Sequence, residues 1–211
     1  MSKTVFVGVG AIVFIIVGIL FFAQSFQKED NDQNKTESVP LELAKNESTT
    51  QASTMSPKSY QGAPLPLTPA EIKGKLAKIN TSKGEIEFEF FEDAPLAASN
   101  FIYLAGDKFY DGLTFHRREE GFVIQGGDPS GNGTGGPGYA FDDEAVTRNY
   151  DRGIVAMANS GPNTNGSQFF IMLKDAPQLP KNYTIFGKVT KGMDVVDKIQ
   201  VGDTMDQVTI E

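Results

Sequence analysis

The residues best suited to chemistry are a guanidinium and an amide, Arg117 and Gln125. They are carried by Phe115-His116-Arg117 and Gly121-Phe122-Val123-Ile124-Gln125-Gly126-Gly127-Asp128. Strand alternation sets Phe115 and Arg117 on one face of an extended segment, and Val123 and Gln125 on one face of another. Groups of this kind beside Phe115 and Phe122 would cost solvation energy if buried unpaired, so they call for a reason beyond packing. A guanidinium stays charged and presents its donors in a rigid plane. The glycine run Gly131 to Gly138 invites comparison with a phosphate loop. It lacks the Gly-Lys-Ser/Thr ending and no helix signal follows, which excludes that chemistry.

Elements that could position these groups follow from periodicity. Lys75–Asn80 and Glu85–Phe90 are predicted strands, the second alternating acidic and apolar, and Ser82-Lys83-Gly84 supplies a hairpin turn. Asp93 is the expected helix cap, with Pro95 in the first turn, Leu96, Phe101, Leu104 and Ala105 at helical spacing, and Gly106 as the stop. Further strands are predicted over Thr114–Arg117, Phe122–Gln125, Ile154–Ala158, Phe169–Leu173, Ile185–Val189 and Gln207–Ile210. Met193–Ile199, entered from Gly192, is the second helix. Short strands joined by glycine-rich turns suggest a closed barrel or a sandwich, and the pattern alone does not choose.

The 211-residue chain divides into three by composition. Residues 1–26 contain the uncharged run Thr4–Ala23, long enough at about 1.5 Å per residue to span a bilayer core. With Lys3 before it, the run is expected to be a single-pass anchor with the remainder outside the cytoplasm. A cleaved signal, which would leave a secreted protein, is the alternative. Residues 27–70 read as a disordered polar linker, and residues 71–211 carry the fold. A formal net charge of −8 with no basic cluster excludes a nucleic-acid partner. Cysteine is absent, which removes disulfides without identifying a compartment.

A second segment, Met157-Ala158-Asn159-Ser160-Gly161-Pro162-Asn163-Thr164-Asn165-Gly166-Ser167-Gln168-Phe169-Phe170-Ile171, resembles one signature of the cyclophilins. The Arg117 segment resembles the other, and Gly131-Asn132-Gly133-Thr134-Gly135-Gly136 resembles the family's glycine loop. The resemblance runs from the early hairpin to Val208-Thr209-Ile210. It implies a mainly β fold, a closed eight-stranded antiparallel barrel capped by two helices. The implied activity is peptidyl-prolyl cis-trans isomerisation of exported or cell-surface chains, in aid of folding, with neither metal nor cofactor. Arg117, Gln125 and Phe122 would be catalytic. Val123, Gly133, Ala158, Asn159, Ser160, Gln168, Phe170, Leu179 and Tyr183 would bind substrate. Phe122, Val123, Phe170 and Leu179 would hold the proline ring, Gln125 would orient Arg117, and Asn159 would bind the preceding residue through its main chain. Proline-containing polypeptides are the implied partners and a monomer is expected.

His116, the only histidine, matches a position with no catalytic part in the family and reads as a satisfied structural residue. Three departures stand out. Gln178 occupies a position where many members carry tryptophan, so cyclosporin binding is expected to be weak. Tyr183 stands where histidine is common. Arg118-Glu119-Glu120 replaces a more apolar stretch, and an ion pair from Glu119 or Glu120 could compete for Arg117. A binding module without turnover on the same fold is the rival reading.

Overall fold

The computed structural model describes residues 58–211. The expected anchor, and the linker as far as residue 57, lie outside the described residues. Among those described, no helix is long and apolar enough to cross a membrane.

The order of elements begins with the short helix α1 (Pro69–Ile72), then the hairpin strands β1 (Leu76–Thr81) and β2 (Gly84–Phe90), then the helix α2 (Pro95–Gly106). Strands β3 (Arg117–Glu119), β4 (Val123–Gly126), β5 (Ile154–Met157), β6 (Phe169–Met172) and β7 (Ile185–Lys191) follow. The short helix α3 (Met193–Val196) and strand β8 (Gln207–Ile210) complete the chain. All eight strands join one sheet in the order β3-β4-β6-β5-β7-β2-β1-β8, antiparallel at every pairing.

The expected closed barrel is not formed. β3 and β8 remain edges, and the sheet curls into a half-barrel. The reason lies just before β3, where strand had been expected from Thr114. Phe115 and His116 leave the extended ladder. The gap is crossed by the single bridge Thr114↔Thr204 and by loop hydrogen bonds, from the Phe115 amide to Asp203 O (2.9 Å) and from the Met205 amide to Leu113 O (2.8 Å).

Alternation along the strands sorts apolar side chains onto two faces. Ile86, Phe88, Phe90, Val155, Met157, Phe169 and Ile171 belong to one cluster, closed over by Ala97, Ala98, Phe101 and Leu104 of α2. Ile154, Ala156, Phe170, Met172 and Val123 point the other way and gather around Tyr150 and Ile185. The first cluster is aromatic and tightly keyed: the Phe101 ring lies 4.6 Å from Tyr110, 5.2 Å from Phe88 and 5.3 Å from Phe169.

Asp93 does not cap α2. The cap residue is Ala94, which makes no side-chain bond, and the first-turn amides of Leu96 and Ala97 donate instead to Glu144, at 2.8 and 2.9 Å. A carboxylate from a distant loop therefore satisfies the orphan donors and favours the positive end of the helix. Asp93 pairs with Arg148. Gly192, with φ of +82°, starts α3, and a Cβ there would sit 2.2 Å from Glu85 O, so only glycine fits. This helix ends at Val196, short of Ile199.

Within residues 58–70, read from composition as the end of a linker, Lys58, Tyr60 and Leu67 are fastened to the domain although most of their neighbours are exposed. Thr68 and Glu71 form a reciprocal capping box on α1. The Leu67 amide donates to Ser99 Oγ at 2.7 Å, and Tyr60 lodges among Tyr103, Phe109 and Tyr139. Aromatic burial by one tyrosine outweighs the polar composition around it.

Candidate functional site

Sheet register brings the chemistry into one row. Arg117 of β3 lies opposite Gln125 of β4, and Gln125 lies opposite Phe170 of β6. Residues paired across adjacent strands share a face, so a guanidinium, an amide and an aromatic ring line up over the second apolar cluster. That cluster is left open at its rim, where Phe122, Leu179 and Tyr183 are only partly buried. The opening is a hollow of about 320 Å³. Val123, Phe170 and Ala158 give it apolar wall, with Phe122, Leu179 and Tyr183, while Arg117, Gln125 and Asn159 give it polar groups. The Tyr183 ring meets Phe170 edge to face at 5.7 Å and its carbonyl accepts from Tyr150 Oη at 2.9 Å, so the aromatic wall is held from behind.

Arg117 is held by a relay of amides. Its Nη1 donates to Gln125 Oε1 at 3.2 Å. Gln125 Nε2 donates to Gln168 Oε1 at 2.9 Å, and Gln168 Nε2 donates to Gly133 O and Gly135 O at 3.0 and 2.9 Å. Each glutamine uses both ends of its amide, which fixes its sense, and the loop carbonyls anchor the chain. The loop is itself organised by Asp128, which accepts from the amides of Ser130 (2.7 Å), Asn132 (2.9 Å) and Gly133. Burial pushes the Asp128 pKa up, but these three amides, helped by nearby His116, more than offset it and leave the carboxyl below its ordinary range.

The two glutamates bind different arginines. Glu119 takes the second nitrogen of Arg117, whereas Glu120 is bound by Arg118 through Nε (3.1 Å) and Nη2 (2.7 Å). Arg118 also donates to Ile199 O at 2.8 Å and is only 12 % exposed, against 44 % for Arg117. The guanidinium beside the hollow is the accessible one.

A second hollow, of about 780 Å³, adjoins the first and shares Gln125, Ala158 and Asn159 with it. Gly133 and the loop to Tyr139 line it, with Ser160, Thr164 and Gln168. Sequence reasoning named Gly133, Ser160 and Gln168 for substrate, and they stand here rather than in the first hollow. The Asn159 side chain is spent on Asn182 O (2.8 Å) and on the Gly161 amide (3.3 Å), while among the described residues its main-chain groups make no hydrogen bond.

Two expectations fail. Phe115 and Arg117 do not share a face: Phe115 enters the helix-covered core and Arg117 reaches the outer hollow, because residues 115–116 lie outside the strand. His116 is not satisfied: among the described residues neither buried ring nitrogen has a hydrogen bond of ordinary geometry, though Gln168 is near, and burial lowers its pKa. Sequence reasoning gave no role to Asp128, although an aspartate before Pro-Ser-Gly carries an Asx-turn signal. It also missed Pro137, Thr164 and Gly166 in the second hollow, which no residue-type signal marks.

Comparison with known proteins places this geometry. The family profile described as "Cyclophilin type peptidyl-prolyl cis-trans isomerase/CLD" matches residues 76–211. A peptidyl-prolyl cis-trans isomerase of Helicobacter pylori (strain ATCC 700392 / 26695) is 48 % identical over 141 residues, spanning 64 % of this chain and 86 % of that protein. Peptidyl-prolyl cis-trans isomerase B of Bacillus subtilis is 47 % identical over 130 residues, spanning 60 % of this chain and 91 % of that protein. Among solved structures, a Cryptosporidium parvum cyclophilin type isomerase superposes with a TM-score of 0.62 at 37 % identity, covering 65 % of this chain and 97 % of its own. The same protein in the presence of the dipeptide Ala-Pro gives a TM-score of 0.61, covering 64 % and 98 %.

Proposed function

The chain belongs to the cyclophilin-type peptidyl-prolyl cis-trans isomerases, and from that premise we propose how its own residues accelerate rotation about an X-Pro bond and where they do so. The observation that carries the reading is the row Arg117–Gln125–Phe170, a fixed and accessible guanidinium at the edge of an apolar hollow.

The proline ring enters among Phe122, Val123, Phe170 and Leu179, with Ala158 and Tyr183 at the wall. Asn159 offers its free main-chain groups to the peptide as an added strand, which orients the bond to be turned. Amide resonance gives that bond a barrier near 20 kcal/mol. Twisting it breaks the resonance and leaves a lone pair on a pyramidal prolyl nitrogen. Arg117 donates to this lone pair, which exists only in the twisted state, so the bond lowers the barrier and does not merely tighten binding. Gln125, backed by Gln168 and Gly133, keeps the guanidinium in place. Gly133, Ser160 and Gln168 line the track for flanking residues of the substrate. No proton transfer is involved, so His116 has no catalytic part.

The working site of this enzyme is outside the cytoplasm. The uncharged run Thr4–Ala23 supports membrane anchoring, and folding of exported proline-containing chains is the corresponding task, since uncatalysed isomerisation takes tens of seconds. Gln178 in place of an indole weakens cyclosporin binding. The ion pair with Glu119 favours a second reading, a peptide-binding module with little turnover. NMR exchange on a proline tetrapeptide with the full chain separates the two. Cis-trans exchange lost in Arg117→Lys, which keeps charge but not the planar fork, supports the enzyme reading. A wild type that binds the peptide without speeding exchange supports the module. Carbonate-resistant membrane association with protease-accessible domain tests the location, and soluble fractionation would contradict it.

A further inference from the structure

Residues 58–68 lie before the stretch that matches the family profile, yet Ser59 and Tyr60 among them contact a wall of the second hollow. The Tyr60 amide donates to Pro137 O at 2.8 Å. Gly138, at φ of +96°, passes so close beneath that a Cβ would stand 2.4 Å from Ser59 Oγ and 3.0 Å from Tyr60 O. Pro137 and Gly138 both line the hollow. The strap is fastened at its other side by the core. The Tyr60 ring packs at 5.6 Å from Tyr103, 5.9 Å from Phe109 and 6.5 Å from Tyr139, and its hydroxyl donates to Asp107 at 2.5 Å. Lys58 donates to the same carboxylate at 3.2 Å.

The same loop is also tied to Gly166, through Tyr139 and Asn100. Tyr139 Oη donates to Asn100 Oδ1 at 2.6 Å, and Asn100 Nδ2 donates to Gly166 O at 2.8 Å. Pro137 rests against Gly166, where a Cβ would be 3.1 Å from Pro137 Cδ. Pro137 is therefore held between the Tyr60 amide on one side and Gly166 on the other.

We propose that Tyr60 is a positioning residue for substrate: the strap fixes the Pro137–Gly138 wall and so sets affinity for peptide residues that flank the X-Pro pair. This rests on the isomerase reading above, in that the second hollow continues the proline site through Gln125, Ala158 and Asn159. It adds to that reading a specificity determinant outside the matched family region.

The test compares full-length wild type, Tyr60→Ala, Tyr60→Phe and Asp107→Ala. Two proline peptides are used: an Ala-Pro dipeptide as its blocked amide and a longer peptide with three residues before the proline. Binding is followed by NMR titration and turnover by exchange. Loss of one hydrogen bond and its packing predicts that Tyr60→Ala weakens the longer peptide about fivefold. The dipeptide and the kcat of bound peptide stay unchanged. Asp107→Ala, which frees the strap without touching the wall, shifts the same way by less, and Tyr60→Phe restores most of the affinity. Equal affinity of all four proteins for the longer peptide overturns the proposal. So does a loss shared by both peptides that follows the fall in melting temperature. Wild-type binding without turnover would sink the isomerase reading alone, because the affinity comparison still decides the role of Tyr60.

Discussion

The two faces of the sheet are built from the same residue types and end differently. On one, Phe88, Phe169 and Phe186 interlock with Phe101 of α2, and each is fully buried. On the other, Val123, Ala156, Phe170 and Met172 make an equally apolar floor, but Phe122, Leu179 and Tyr183 leave its margin open beside Arg117. The first face stabilises the domain. The second gives up part of that burial and gains a recess where a proline ring can replace water. The adjacent arginines repeat the contrast: Arg118 is nearly enclosed by Glu120 and Ile199 O, while Arg117 keeps its outer edge toward solvent. Stability and chemistry are separated by which side of a strand a residue faces.

Removing Phe101 should break the sealed side. Phe101→Ala is expected to cost about 3–5 kcal/mol of unfolding free energy, read from urea midpoints, because its neighbours cannot collapse into the space. On the open side, Phe122→Ala should raise KM about tenfold through lost apolar contact while lowering stability far less. A large drop in melting temperature for Phe122→Ala would mean that the two faces are not distinct. Glu119→Gln sharpens the comparison further. Freed from an exposed ion pair, Arg117 should turn over substrate about two- to fourfold faster, with peptide affinity little changed. Slower turnover would make Glu119 a support for the guanidinium.

The smallest effect concerns His116. Burial holds its folded pKa below the unfolded value, so below about pH 6.5 the unfolded chain binds more protons. Its contribution to stability is therefore complete above that pH and is lost as pH falls through the folded pKa. Urea midpoints at pH 7.5 and 5.5 should fall less in His116→Leu than in wild type. An equal fall would mean that His116 is not the group responsible, since Asp128 and Glu87, held below the ordinary carboxylate range, stay ionised in both states across this window.

Much of this arrangement was legible in the sequence. Strict alternation in Glu85–Phe90 announced β2, and Pro95 with Gly106 bounded α2. Arg117, Phe122, Val123, Gln125, Ala158, Asn159, Phe170, Leu179 and Tyr183 do converge on one hollow. What escaped notice depends on contacts distant in the chain. Glu144, not Asp93, caps α2 because tertiary folding delivers a better-placed carboxylate. Half-closure of the sheet depends on two residues, Phe115 and His116, leaving an extended path that alternation predicts from Thr114. Tyr60 sits in a stretch whose average polarity predicts disorder, and its three aromatic neighbours, with its bonds to Asp107 and Pro137, reverse that. Composition averages over a window; a single anchored ring does not.

The central claim is that Arg117 acts on the twisted bond and not on the ground-state peptide. Full-length wild type and Arg117→Ala should be compared in kcat for a proline tetrapeptide and in Kd for the same peptide. Loss of one fixed donor to the transition state predicts a fall in kcat of about 10²–10³-fold, with Kd shifted less than about threefold and unfolding free energy unchanged. If kcat is untouched while Kd weakens, Arg117 only binds substrate and the account is wrong.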